Sequence, residues 1–517
     1  MCRCCSQRGL HQSTGEDVTR RDFLAGVGSL STGGVLAAAV RTGPAKAAAG
    51  PERQAAPAVG LKMQPVLTYS TPARRDATSW REWGGIQTDA AAAGEAGRIE
   101  GELAKLRSEA DFPLEILPVI RVKDKDEAAR AAAGDQDGVI MYAAGGSVRS
   151  LEALAVPEKW NLMFLRHRSG PVYLWYEIAH NRFLRKTVDD FGQPGMDVQD
   201  IVVDDPAELL WRLRALHGLK NTLGKRILAV GGASGWGQGG RSAPQRAREL
   251  WKLEIVEVTY DELGRRIQQA RQDTDLQKRC AKQTDEYLGL KGTTLETDRG
   301  FVQRAFVLTE VFKDLMRSAE TDAITINSCM GTIMPISETT ACLPLSLLND
   351  ENYMAFCESD FVVIPSGILL HYISGKPVFL NDPTYPYRNV VTLAHCTAPR
   401  KLDGKNRENA RILTHFESDY GAAPKVEMRI GQTVTNLIPD FASRKWVGFR
   451  GSVAGNPFID ICRSQIDVKI NGDCDLLLRE MKGFHWMTCY GDYLRETGYA
   501  LGKVGVDYFN LSDLART

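Results

Sequence analysis

The segment 353–382 constrains the fold more than any other part of the chain. Residues 353–357 are apolar, a short strand ending at Glu358. Residues 361–373 are apolar at near-helical spacing, with Pro365 in the first turns and Gly375 as a stop. A second apolar run, 377–380, ends at Asn381 and Asp382. Strand, helix and strand joined this tightly predict a right-handed crossover, with the two strands parallel, neighbouring and about 5 Å apart. Glu358 and Asp382 then both sit at carboxyl ends of strands, where open α/β sheets bind ligands. Two carboxylates so placed repel unless a cation or a shared proton lies between them, which points to a metal site or an acid/base pair. The alternative is that each caps the helix that follows it.

The same alternation runs through most of the chain. Residues 63–69, 113–119, 138–142 and 161–166 read as strands. Residues 90–110 read as a helix, and Asp205-Pro206 opens another that carries Leu209, Leu213 and Leu216. A second unit starts with a strand at 226–230, runs into the glycine-rich stretch 231–240, and continues through strands at 253–256 and 322–328. That glycine run is either a tight domain-opening loop or a phosphate cradle, with Glu257 placed to hold a ribose. It lacks the Lys-Ser/Thr of a P-loop and does not fit G-x-G-x-x-G cleanly. Beyond about residue 391 the texture changes to short alternating strands at 425–430, 433–437, 446–449 and 466–470, as expected of a small antiparallel domain or barrel. A helix at 492–501 and a strand-like 504–509 follow.

The expected fold is therefore α/β: two Rossmann-like parallel-sheet domains, 61–223 and 224–390, followed by a β-rich, barrel-like C-terminal domain, 391–517, with a terminal helix. At 517 residues the chain is too long for one ordinary core. Its 64 basic and 64 acidic side chains cancel, so electrostatics favours neither nucleic acid nor an anionic membrane as partner. A neutral small molecule fits better. Thr19-Arg20-Arg21-Asp22-Phe23-Leu24, a Gly/Ala-rich apolar run and Ala45-Lys46-Ala47 resemble a twin-arginine export signal over 1–47, followed by a linker, 48–60. That signal implies engagement of the twin-arginine translocase and an extracytoplasmic, periplasmic location. No other stretch approaches membrane-spanning length. The eight cysteines from Cys280 to Cys489 show no CxxC pairing and read as buried small hydrophobes.

Two carboxylates holding a cation want an imidazole, and the chain has eight histidines. His485 stands between a turn and an aromatic-rich strand, and His395 follows a strand at 390–393; each is otherwise a core histidine. Two oxygens and one imidazole suit Mn²⁺ better than structural zinc.

Cys357-Glu358-Ser359-Asp360, Gly375-Lys376-Pro377-Val378-Phe379 with Asp382, His395-Cys396, Cys462-Arg463-Ser464-Gln465 and the segment 483–493 occur in the order found in L-fucose isomerase-like proteins, which this chain resembles over roughly 224–509. Residues 340–350 resemble that family's entry to the metal strand. The resemblance implies a metal-dependent aldose–ketose isomerase working through a cis-enediol. It implies a homo-oligomer, trimer or hexamer, and Mn²⁺ held by Glu358, Asp382 and His485, with Glu358 and Asp382 also catalytic. Arg74 and Arg75 are expected to reach sugar hydroxyls from a neighbouring subunit, or else to be a solvated basic pair, and His395 to contact substrate. The chain departs from the family pattern at 361–367 and 383–386, and has one histidine at 485 where two are common. Two other readings compete: an exported NAD(P)-dependent sugar oxidoreductase using residues 231–240, and a non-catalytic carbohydrate-binding protein.

Overall fold

The computed structural model describes residues 57–185 and 191–513. The expected export signal, 1–47, and the first part of the linker lie outside the described residues. The chain builds two parallel sheets and one closed antiparallel barrel. The first sheet holds β1 (Leu61–Thr68), β2 (Leu114–Ile116), β3 (Ile120–Val122), β4 (Gly138–Ala143), β5 (Trp160–Leu165) and β6 (Ile201–Val203), in the order β2-β1-β4-β5-β6, with β3 also on β1. All its pairings are parallel. Nearly every residue of β1 and β4 is buried, as expected for strands covered by helices on both faces. The strand expected at 113–119 forms only over β2, and β3 begins just past it, because Pro118 between them has no N–H to give the ladder.

The second sheet is β11-β10-β7-β8, also parallel, from β7 (Arg226–Val230), β8 (Glu254–Val258), β10 (Ala323–Ile326) and β11 (Met354–Phe356). A third, small sheet pairs β9 (Thr293–Leu295) with β14 (Asn409–His415) and β14 with β15 (Tyr420–Glu427).

The barrel contains β12 (Phe379–Pro383), β13 (Val390–His395), β16 (Thr433–Ile438), β17 (Lys445–Gly455), β18 (Ser464–Asn471) and β19 (Trp486–Tyr490). The order β16-β19-β12-β13-β18-β17 closes on itself through β16–β17, and every one of these pairings is antiparallel. β20 (Asp507–Asn510) adds to β17 in parallel, outside the ring.

The expected parallel neighbours of 353–382 are not neighbours. β11 lies at the edge of the second sheet, whereas β12 belongs to the barrel and runs antiparallel to β13 and β19. The reason lies in the helix between them, Ile364–Ser374, which is buried at every position. A helix apolar all round has no solvent face and must be covered on both sides. A Cβ at Gly367 would meet Phe356 of β11 at 2.5 Å and Met487 of β19 at 2.7 Å, so this helix is clasped between sheet and barrel. It therefore delivers the chain to a new layer instead of returning it to the old one. Its other face packs on the helix Ala207–Thr222, where Gly218 leaves room for Ile373. Gly375 ends it in the left-handed conformation at φ 64°, as the sequence predicts.

These two packed helices carry buried histidines. Burial pushes both His217 and His371 down to about 4. Because this lies below the unfolded value of about 6.5, the stability each contributes is complete above pH 6.5 and is lost as pH falls toward 4. Going from pH 7 to pH 5 is expected to cost about 2 kcal/mol per histidine, read as a fall in the urea midpoint. His217→Leu should remove close to half of that loss. An unchanged pH dependence in the variant refutes the assignment.

Candidate metal centre

Glu358 follows β11 by two residues and stands in a strained turn. Glu358 has φ 63° and Ser359 φ 46°, two successive non-glycine residues in the left-handed region. Such geometry costs on the order of 1–3 kcal/mol per residue and persists only where neighbours hold it. Here the glycine-rich loop after β7 is the clamp. Ser234 N donates to Ser359 O at 3.2 Å, Phe361 N donates to Ser234 O at 3.0 Å, and Trp236 N donates to Asp360 Oδ1 at 3.1 Å. The stretch 231–240 thus clamps this turn, and it also forms a wall. Trp236 stacks on Phe484 with ring centroids 3.9 Å apart and 7° between planes. Glu257, the expected ribose partner, lies beside Gly232 and pairs with Arg248.

Asp382 comes from β12 and His485 from the residue before β19. Asn381 is paired with Trp486, so antiparallel register sets Asp382 opposite His485. The barrel edge and the sheet edge then meet. His485 Nε2 lies 3.2 Å from Asp382 Oδ1 and 3.4 Å from Glu358 Oε2. Its Nδ1 sits 2.8 Å from Asp360 Oδ2. His395, at the end of β13, faces the same cluster, with Nε2 at 3.9 Å from Glu358 Oε1 and Nδ1 at 3.0 Å from Thr397 Oγ1. Asp382, His395 and His485 have ligand atoms within 4.8 Å of one another, as do Cys357, Glu358 and His395. Arg74 and Arg75 instead lie on the exposed loop after β1, and no described hydrogen bond or ion pair joins them to this cluster. A surface hollow of about 460 Å³ beside Arg246, Glu249 and Arg444 shares no lining residue with the cluster.

Asp382, His395 and His485 form a donor set that could hold a divalent cation, and Glu358 reaches His485 and His395 from the other layer. The side chain of His485 is fully buried, with Nε2 turned to the Glu358 and Asp382 carboxylates and Nδ1 anchored by that of Asp360. This carboxylate–imidazole arrangement orients metal-ligating histidines. Two donors each about 2.1 Å from one ion at right angles stand about 3.0 Å apart, close to the spacings here. Burial by itself disfavours a charged ring, but Glu358, Asp360 and Asp382 outweigh it and hold the His485 pKa well above the usual histidine range. A cation between the carboxylates would take that proton's place.

Asp360 stands in the sequence motif without an evident role, and its contact with His485 shows only in the fold. No local pattern could have exposed it, because its partner His485 is 125 residues away. Asp360→Asn keeps the shape but turns an acceptor into an amide that presents N–H to Nδ1. The ring then carries its proton on Nε2, where a ligand lone pair is needed. Mn²⁺ affinity is expected to fall about 10–100-fold, measured by competition with a chromophoric chelator. An unaltered affinity rules out Asp360 as the positioning residue.

Comparison with protein-family models and with curated protein sequences finds no match for this chain.

Proposed function

We propose that the chain is a metal-dependent sugar isomerase, interconverting an aldose and a ketose in the manner of L-fucose isomerase-like proteins. In this reading Glu358, Asp382 and His485 hold Mn²⁺ or a similar ion. The two parallel sheets correspond to Rossmann-like domains, and export through 1–47 and assembly into a homo-oligomer belong to the same proposal. The carrying observation is the convergence of two carboxylates and one anchored imidazole, at 3.2 and 3.4 Å, from two different layers of the fold.

Aldose–ketose conversion moves one proton between C2 and C1 while negative charge builds on the two adjoining oxygens. A bound divalent cation supplies the charge stabilisation those oxygens require. Glu358 and Asp382 both lie within 3.4 Å of His485 Nε2, so a carboxylate oxygen beside the ion can take the C2 proton and return it at C1. The side chain of Glu358 is 20% exposed and that of Asp382 16%, enough to meet a ligand while remaining largely dry. His395, fixed through Thr397, is placed to bond a sugar hydroxyl, and the Trp236–Phe484 stack walls the site beside His485.

The test is solvent exchange. The Mn²⁺-loaded protein, incubated in heavy water with a panel of pentoses, hexoses and 6-deoxyhexoses, should place deuterium at C1 or C2 of at least one sugar. Sugar binding without exchange leaves a carbohydrate-binding protein. Retention of NADP(H) through purification with no exchange favours the oxidoreductase.

A further inference from the structure

The cysteines, scattered in sequence, are gathered in space. Cys357 lies within hydrogen-bonding reach of Cys329, Cys329 of Cys342, Cys342 of Cys396, and Cys396 of Cys462. None is in a disulfide. Within this sulfur array Cys342, Cys396 and His415 are all buried and bring Sγ, Sγ and a ring nitrogen within 4.8 Å of one another. They arrive from three separate elements: the start of the helix Cys342–Asp350, the residue after β13, and the last residue of β14. Cys329, which opens the short helical segment Cys329–Ile333, lies beside Cys342.

We propose that Cys342, Cys396 and His415 form a second metal centre that takes a thiophilic d¹⁰ cation, Zn²⁺, with Cys329, beside Cys342, completing the set once it turns toward the ion. Soft thiolates and one imidazole in a closed, dry setting match a structural zinc site and not the oxygen-rich cluster at Glu358. The surroundings supply partners of the kind that orient ligands. Arg463 N donates to Cys396 Sγ at 3.4 Å, and Ser418 Oγ lies 3.3 Å from His415 Nδ1. On binding, each ligating thiol gives up its proton to solvent and forms a sulfur–zinc bond, with no change of oxidation state. The centre would tie the helix Cys342–Asp350 to β13 and β14. Cys357, at the other end of the array, adjoins Glu358, so this knot stands directly behind the carboxylate site. It shares no ligand with that site and does not depend on the isomerase reading.

The experiment uses the full chain, purified under reducing conditions and supplied with Zn²⁺ and Mn²⁺ alone and together. One tightly held zinc per chain is expected, with X-ray absorption giving Zn–S neighbours at about 2.3 Å, and Co²⁺ in its place should show thiolate-to-metal charge transfer. Cys342→Ser, Cys396→Ser and His415→Gln should each weaken zinc by more than about 100-fold and leave Mn²⁺ content unchanged. Glu358→Gln should do the reverse. Where a cysteine variant does not fold, the wild-type absorption and cobalt spectra decide. No zinc uptake, a shell of nitrogen and oxygen only, or a thiol count showing disulfides within the array would each overturn the proposal.

Discussion

Glu358→Gln and Asp382→Asn are each expected to abolish stoichiometric Mn²⁺ binding and to reduce sugar C1/C2 deuterium exchange by about 10³-fold or more. Each substitution removes one negative charge while keeping size and most hydrogen-bonding capacity, so the loss reports chemistry and not packing. A single charged oxygen here has two roles, cation ligand and proton acceptor, and loss of electrostatic stabilisation and of a general base each costs on the order of 10²-fold or more. Elemental analysis of the purified variants reads the first role and mass spectrometry of the sugar reads the second. Undiminished metal in both variants would sink the ligand assignment, whereas retained metal with lost exchange in one would separate the two roles. Because cation and proton compete at His485 Nε2, Mn²⁺ affinity should also rise with pH until the ring no longer holds a proton.

A comparably large effect on stability is expected at Arg166, at the end of the first sheet. Its side chain is fully buried, with Nη2 donating to Glu102 at 2.7 Å and Nε to Glu95, whose own side chain is 1% exposed. The Tyr173 hydroxyl donates to the same Glu95 oxygen at 2.7 Å. Arg166→Met leaves the buried Glu95 with only the half-exposed Arg98, whose Nε lies 3.3 Å from its other oxygen, and breaking a buried pair in this way costs up to about 3–5 kcal/mol. Urea unfolding at pH 7 measures it. Arg166→Met combined with Glu95→Gln should recover part of the loss, because Arg98 compensates the buried carboxylate only from the solvent side. A single-variant effect below about 1 kcal/mol would show that water reaches the pocket.

Much of the fold is legible from local pattern. β7 occupies the predicted 226–230, and the helix Asp89–Glu109 falls within one residue of its predicted bounds, with Thr88 accepting from Ala91 N at its start. These elements follow from hydrophobic period and capping, which neighbouring residues encode by themselves. The barrel too can be anticipated from short alternating strands after 391, but its closure through β16–β17 cannot, because strand partners are chosen by twist and stagger across the sheet. The break at Pro118 shows how one residue without a donor can divide a largely apolar run.

The candidate site divides in the same way. The types and order of Glu358, Asp382, His395 and His485 stand in the sequence, since metal and acid/base chemistry need those groups. So does the stop at Gly375. Their meeting does not depend on the parallel crossover predicted for 353–382. It arises because the helix Ile364–Ser374, apolar on all faces, needs cover from two layers and so carries β12 across to the barrel. The anchoring of His485 by Asp360, the clamp of Ser234 and Trp236 on the strained Glu358 turn, and the gathering of Cys342, Cys396 and His415 are decided only in three dimensions. Periodicity tells a residue which face to bury, because that is a matter of near neighbours. Which buried faces then meet is set by long-range packing of whole layers, where contacts far apart in sequence compete on equal terms.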